Sequence, residues 1–227
     1  MEAQKAQAGD LGFGCGNGKR RCLMSTWKMA GQVLAHPIDF FYDLQEPGKA
    51  RYRDAAVLIA LAMAVRILSL SLSGFLFQRR EAFEISFVTE AVSILILWLT
   101  WSIANWGIST IQEGEGKFKE ILVGSAFALT PYILLTLPIS LLSNAMSMKE
   151  WAVYLFMTSF VFLWVAYLLI MKVKILHDFN LYKLLFILAL TIIGMLIIWF
   201  VIILFYGLVN QAINFVVGLI TEIRFRL

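Results

Sequence analysis

Long apolar stretches separated by short polar segments dominate the pattern of this chain. The last of them begins after Lys183 and continues to Thr221 without a charged residue. A helix needs about 20 apolar residues to cross the hydrocarbon core of a bilayer, and irregular backbone cannot face lipid there. The pattern therefore predicts an all-α integral membrane bundle of five transmembrane helices. The predicted spans are about 55–77, 85–109, 121–144, 151–171 and 184–206.

The last apolar run is longer than one crossing requires. Either the fifth span tilts and protrudes, or the chain bends near Gly207 into a second helix. Polar residues beyond Gly207 recur mostly at helical intervals: Asn210, Gln211, Asn214, Thr221 and Glu222. This spacing favours an amphipathic C-terminal helix over residues 207–227, lying at the interface or packed on the bundle, rather than a sixth span.

The region before the first span divides into two parts. Residues 1–24 are rich in Gly, Ala and Gln and are predicted to be a disordered cytosolic tail. Residues 25–53 are predicted to be an amphipathic segment, and residues 54–227 form the membrane domain. The apolar side chains of this segment either dip into the headgroup region or pack against the cytoplasmic ends of the spans. Its candidate contact residues are Trp27, His36, Pro37, Phe40, Phe41 and Leu44.

His36 directly precedes Pro37, which rigidifies its surroundings. We favour a structural or capping role for this histidine, with a switch or ligand role as the alternative. Cys15 and Cys22 both lie in the tail, where we expect a reduced pair. An intermolecular metal site and a disulfide are the other interpretations.

Composition and charge support a membrane class and set a predicted orientation. The chain is 60% hydrophobic and 15% charged, against about 45–50% and about 25% in soluble proteins. Most of the 19 Lys and Arg residues lie in the tail and on the loops that share its side, which predicts a cytoplasmic N-terminus and an external C-terminus. The net charge of +4 reflects cations beside the spans rather than a nucleic-acid surface.

Two charged residues are predicted to lie within the membrane, Arg66 in the first span and Glu90 in the second. Each costs about 2.5–3.5 kcal/mol at a helix centre, so a partner or a water pocket is expected. Measured along the helices from the turn between the two spans, the depths of Arg66 and Glu90 differ by about 6 Å. We therefore predict that the two side chains approach each other. Alternatively, Glu90 reaches the outer interface while Arg66 finds helix carbonyls or water, or the residues form a substrate or ion site.

Pro131 and Pro138 are predicted to kink the third span, because each removes a backbone hydrogen bond and crowds the preceding turn. Such kinks serve bundle packing, which we favour, or frame a binding site as in transporters.

Motifs for catalysis or cofactor binding do not emerge from the sequence. The Gly114–Lys117 segment lacks the first glycine and the Ser or Thr of a phosphate loop. With only His36 and His177 in the chain, a His-Glu-x-x-His metal helix is excluded, and no Gly-x-Ser-x-Gly elbow occurs. We therefore predict no enzyme activity, no cofactor and no metal.

Several motifs, in order and spacing, resemble the Yip family of membrane proteins, and especially its bacterial-type branch. They extend over residues 25–224. The motifs are His36-Pro37 with Phe40-Phe41 and Leu44, Glu113-Gly-Glu-Gly116 before Phe118, Ala128-Leu-Thr-Pro131-Tyr132, His177, Thr191-x-x-Gly194, and Gln211 with Glu222.

The resemblance implies five membrane helices with a cytosolic N-terminal region and an external C-terminus. Eukaryotic relatives act in vesicle traffic and bind prenylated Rab GTPases. A Rab partner is expected only for a eukaryotic protein. The short Gly-rich tail of this chain argues against such a partner, because the eukaryotic relatives have a long cytosolic segment. A bacterial cell membrane is favoured over the ER or Golgi. The expected partners are membrane lipid and a membrane protein or a second copy of the chain.

Our preferred function is a non-enzymatic membrane protein that organises or remodels membrane or scaffolds a membrane complex. The segment from Trp27 to Leu44 would be its cytoplasmic contact surface. The alternative is a small permease or an accessory subunit of a transporter, in which Arg66, Glu90, Pro131 and Pro138 line a midplane cavity. An intramembrane enzyme is not favoured, because a nucleophile–base arrangement is missing.

Overall fold

The computed structural model describes residues 26–46, 48–74, 86–112, 116–177 and 181–226. The predicted tail, 1–24, and both cysteines lie outside the described residues. The helices are α1 (Thr26–Ala35), α2 (Pro37–Leu44), α3 (Tyr52–Leu72), α4 (Phe87–Ile111), α5 (Phe118–Ala128), α6 (Thr130–Ser143), α7 (Trp151–His177) and α8 (Leu181–Arg226). A short 3₁₀ turn, Met148–Glu150, leads into α7.

Among the described residues, five helical segments are long and apolar enough to cross a membrane. They are α3, α4, α5 together with α6, the 3₁₀ turn together with α7, and α8. The all-α membrane bundle predicted from the apolar runs is therefore confirmed.

Hydrogen bonds between distant parts of the chain define two ends of the bundle. At one end, the Gly74 N–H donates to Ser143 Oγ at 2.9 Å, which joins the ends of α3 and α6. At the other end, Gln45 donates to the Ile175 carbonyl at 3.0 Å and Lys183 donates to the Gln112 carbonyl at 2.8 Å. We call the second end the cap end, because α1 and α2 lie there, and the first the far end.

The centre of the bundle is α5, whose residues from Ile121 to Ala128 are all buried. Gly124, Ser125, Ala126 and Ala128 are small, and small residues allow helix backbones to approach closely. At Gly124, an added Cβ would lie 3.2 Å from the Lys172 side chain of α7 and 3.3 Å from Leu44 of α2. Small side chains on α5 thus set the close packing of its neighbours.

The third span is interrupted at Leu129, between α5 and α6. Pro131 has no N–H, so it cannot donate to the Phe127 carbonyl one turn earlier. The Thr130 hydroxyl takes that place and donates to the Phe127 carbonyl at 2.6 Å. Pro138 lies inside α6, which continues through it to Ser143. The interruption therefore accompanies Pro131, whereas Pro138 does not end the helix.

The last helix differs from the two-part arrangement expected around Gly207. Helix α8 continues without a break from Leu181 to Arg226, so residues 207–226 are not a separate element. A single glycine lowers helix stability by only about 1 kcal/mol, and no proline follows to end the helix. With 46 residues, α8 is about 69 Å long, more than twice the hydrocarbon thickness of a bilayer.

Only the first half of α8 packs on the bundle. Its Thr191 is buried, and Trp199 donates to Thr100 Oγ1 of α4 at 3.4 Å. At Gly194 of α8, an added Cβ would come within 2.9 Å of the Ile108 side chain of α4. By contrast, every side chain described from residue 201 onward is exposed.

Helices α1 and α2 form a helical hairpin, which we call the cap, against α5, α7 and the start of α6. The ring of Phe40 packs on Phe127 of α5 with centroids 4.9 Å apart. Asp54, buried at the start of α3, accepts hydrogen bonds from Thr26 at 2.8 Å and from Arg51 at 3.1 Å. The cap is therefore fixed to the bundle by both a hydrophobic contact and a buried carboxylate.

We predict that Phe40→Ala releases the cap from the bundle. Loss of a buried phenylalanine costs about 3–5 kcal/mol of stability. Helices as short as α1 and α2 are not stable without such packing contacts. Limited proteolysis of the purified protein should then cleave within residues 26–46 much faster. Tyr42→Ala on the same helix is the control, because Tyr42 is 56% exposed and should leave the cleavage rate unchanged. Equal rates for both variants would contradict this account of the cap.

Candidate functional site

Arg66 of α3 and Glu90 of α4 form an ion pair inside the apolar bundle. The Arg66 Nε and Nη2 atoms donate to Glu90 Oε2 at 3.0 and 2.8 Å. Glu90 is one turn into α4, whose N-cap residue Ser86 accepts from Thr89 N–H. Because both charges are held in one contact, neither is left uncompensated in a low-dielectric medium. The structure thus brings together the two charged residues singled out in the first two spans.

Two clefts meet at this ion pair, and Arg66, Tyr132 and Phe162 line both of them. The smaller cleft has a volume of about 100 Å³ and lies between α3, α6 and α7. Its wall is rich in hydroxyl groups: Ser69, Ser73, Tyr132, Thr136, Ser140, Tyr154 and Thr158.

The larger cleft has a volume of about 340 Å³ and lies mainly between α4 and α7. Met195 of α8 also contributes to its wall, which is mostly apolar. Neither Pro131 nor Pro138 is among the lining residues of the two clefts. The prolines therefore do not line either of these two clefts beside the charged pair.

Sequence reasoning missed a buried polar cluster near the cap end. Lys172 was expected to flank the fourth span, but α7 continues to His177 and the Lys172 side chain is fully buried. Its Nζ donates to Asn105 Oδ1 of α4 at 3.3 Å. Asn105 is itself fully buried, and an asparagine within a predicted span was the one signal available for this contact.

His177 closes the same end against the segment before α5. The Gly116 N–H donates to His177 Nδ1 at 3.3 Å. A Cβ at position 116 would lie 2.5 Å from the imidazole ring, so this contact requires glycine. Residues 178–180, which follow His177, lie outside the described residues.

The candidate cytosolic contact residues separate into a buried and an exposed group. Phe40, Phe41 and Leu44 are in the core, at most 2% exposed, because they fill the space between the cap and α5 and α7. They are not available to a partner, which corrects the contact surface drawn from the sequence. The exposed residues of the cap include Trp27, Lys28, His36, Ile38, Asp39 and Tyr42.

His36 and Pro37 mark the junction between the two cap helices. Pro37 is the first residue of α2, where its missing N–H removes no helical bond. His36 occupies the N-cap position and is exposed, and its side chain makes no capping hydrogen bond. Across the described ranges, no group of three or more His, Cys, Asp or Glu residues is placed to hold a metal ion.

Comparison with known proteins gives one match. A family model described as the Yip1 domain matches residues 31–217, which include the cap helix α2, the first four spans, most of α8 and the ion pair. No curated protein and no solved structure matches the chain.

We predict that Glu90→Gln lowers the stability of the detergent-solubilised protein by about 3 kcal/mol, because it leaves the Arg66 charge uncompensated within the bundle. The double variant Arg66→Met, Glu90→Met should regain most of that loss, since both charges are then removed. Thermal unfolding of the three proteins measures the effect.

Glu222→Gln is the matched control for this prediction, because it makes the same chemical change on the exposed part of α8. Its unfolding temperature should equal that of the wild type. A Glu90→Gln protein that unfolds at the wild-type temperature would show that the ion pair does not stabilise the bundle.

Proposed function

The chain belongs to the Yip family of multi-pass membrane proteins, and from that premise we propose that it organises and bends membrane without catalysing a reaction. The cap is the part of the molecule that performs this role, by occupying one leaflet more than the other. With the N-terminus in the cytoplasm, as the charge distribution predicts, that leaflet is the cytoplasmic one. The membrane is proposed to be a bacterial cell membrane.

The observation that supports this proposal is the position of the cap at one end of the bundle only. Its two helices are about 15 and 12 Å long and add their width to the five spans near the cap end. No corresponding helices lie beside the far end within the described residues. The cross-section of the protein is consequently larger in one leaflet than in the other.

The chemistry of the exposed face of the cap fits the headgroup region. Trp27 is 68% exposed, and Ile38 and Tyr42 are also exposed large side chains. Aromatic and aliphatic groups of this kind insert about 5–10 Å into the boundary between headgroups and acyl chains, while Lys28 and Asp39 beside them stay hydrated. Because Phe40 and its neighbours bind the cap to the bundle, the inserted helices cannot move away from the spans.

The same face supports a scaffolding role, in which a membrane-protein partner or a second copy binds beside the cap. A Rab GTPase partner is proposed only for a eukaryotic setting. Binding of lipid and binding of a protein partner would both use Trp27, Ile38 and Tyr42, because these are the large apolar groups that the cap leaves exposed.

The structure gives less support to a permease. Transporter sites are typically built from interrupted helices whose backbone groups face the substrate. Here the Phe127 carbonyl freed by Pro131 is bonded by Thr130, and α6 continues through Pro138. Neither proline contributes to the clefts beside Arg66 and Glu90.

We predict that the purified protein, reconstituted in vesicles at increasing protein-to-lipid ratio, produces narrower vesicles or tubules. The variant Ile38→Ser, Tyr42→Ser should lose most of this effect, because the cap stays attached but no longer inserts apolar groups. Electron cryo-microscopy of the vesicles measures the diameter.

Met148→Ser is the control, since Met148 is an exposed apolar residue at the far end of the bundle. Its vesicles should have the wild-type diameter. The proposal fails if wild-type protein leaves the vesicle diameter at the protein-free value, or if the cap variant bends membrane as well as the wild type does.

A further inference from the structure

The two clefts beside the ion pair share Arg66, Tyr132 and Phe162 in their walls and differ in polarity. The smaller cleft approaches the far end of the bundle, because Ser73 follows the last residue of α3 and Tyr154 lies in the first turn of α7. The larger cleft extends from Glu90 toward the membrane interior, as far as Leu169 and Met195. One molecule with a polar head and an apolar chain would match both parts.

Donor groups in the cleft walls need partners that the described protein does not supply. Thr158 Oγ1 in the smaller cleft, and the indole nitrogens Trp98 Nε1 and Trp101 Nε1 in the larger one, are buried without a hydrogen-bond partner in the described part of the chain. Buried tryptophan N–H groups normally find an acceptor. A ligand with acceptor oxygens near the ion pair would satisfy such donors.

The charge of the site points to a neutral headgroup. The Arg66 guanidinium is already engaged by Glu90 through two hydrogen bonds, so its positive charge is compensated. A phosphate placed beside this pair would also approach the Glu90 carboxylate, which disfavours an anionic ligand. The hydroxyl groups around the smaller cleft, by contrast, are able to donate to and accept from a neutral alcohol.

We propose that the two clefts together bind a neutral glycerolipid of the diacylglycerol type. Its free hydroxyl lies in the hydroxyl-lined cleft, its ester carbonyl oxygens accept hydrogen bonds near Thr158 and Trp98, and one acyl chain occupies the apolar cleft. The site is separate from the cap and does not depend on membrane bending.

The test uses the full-length protein in phosphatidylcholine vesicles that contain a trace of diacylglycerol with a photoreactive diazirine on one acyl chain. After illumination, mass spectrometry locates the labelled residues. We expect labelling at Val165, Leu169 and Met195 of the larger cleft. Excess unlabelled diacylglycerol should reduce this labelling by about tenfold, and an equal excess of phosphatidylglycerol should not.

A variant that fills the headgroup cleft gives an independent readout. Thr136→Phe places a large ring in the smaller cleft and should lower labelling of the larger cleft, whereas Leu134→Phe, an exposed position on the same helix, should not. Both proteins are compared at equal folded amount by gel filtration in detergent, and the competition experiment on wild-type protein does not depend on either variant.

Two outcomes would overturn the proposal. If phosphatidylglycerol competes as well as diacylglycerol does, the clefts do not select a neutral headgroup. If label appears equally on the exposed half of α8 beyond residue 201 and neither competitor reduces it, the clefts contain only bulk lipid.

Discussion

The packing of neighbours around α5 is the interaction on which the rest of the structure depends. Its run of buried residues contacts α3, α4 and α7 as well as both cap helices. Helices in lipid gain little from the hydrophobic effect when they associate, so close van der Waals contact and interhelical hydrogen bonds must hold them. Gly124 and Ala128 permit that contact, and Ser125 bonds Ser102 of α4 at 2.8 Å. Larger residues on α5 would separate the spans and the cap at the same time.

Satisfaction of polar groups in an apolar medium explains most of the specific contacts in the bundle. Thr130 replaces the N–H that Pro131 lacks, and Arg66 compensates Glu90. Lys172 is the most demanding case, because its Nζ atom is fully buried and bonded to the neutral side chain of Asn105. The Arg66–Glu90 and Lys172–Asn105 contacts join different helices, and the Thr130 hydrogen bond lies at the interruption of the third span. Each contact therefore limits how the helices can be arranged.

The two ends of the bundle differ in a way that suits a protein acting on the membrane itself. The cap end carries an amphipathic helical hairpin, held by Phe40 and by the buried Asp54. Toward the far end, the clefts beside Arg66 open between the spans. The cap would widen the protein in one leaflet, and the clefts would accept a lipid from the other half of the bilayer. One small protein would then respond to lipid composition and also shape the membrane.

The sequence by itself determined the membrane class and the five spans, because apolar length is a local property of a helix. It predicted that Arg66 and Glu90 approach each other but left other partners open, and the packing of α3 on α4 decided between them. Only the tertiary structure decided that Phe40 and Lys172 are buried, since the burial of a side chain depends on which distant helix packs over it. The unbroken course of α8 through Gly207 was also undecided from the sequence. A lone glycine weakens a helix without ending it, and polar residues at helical spacing are compatible with either a separate helix or a continuous one.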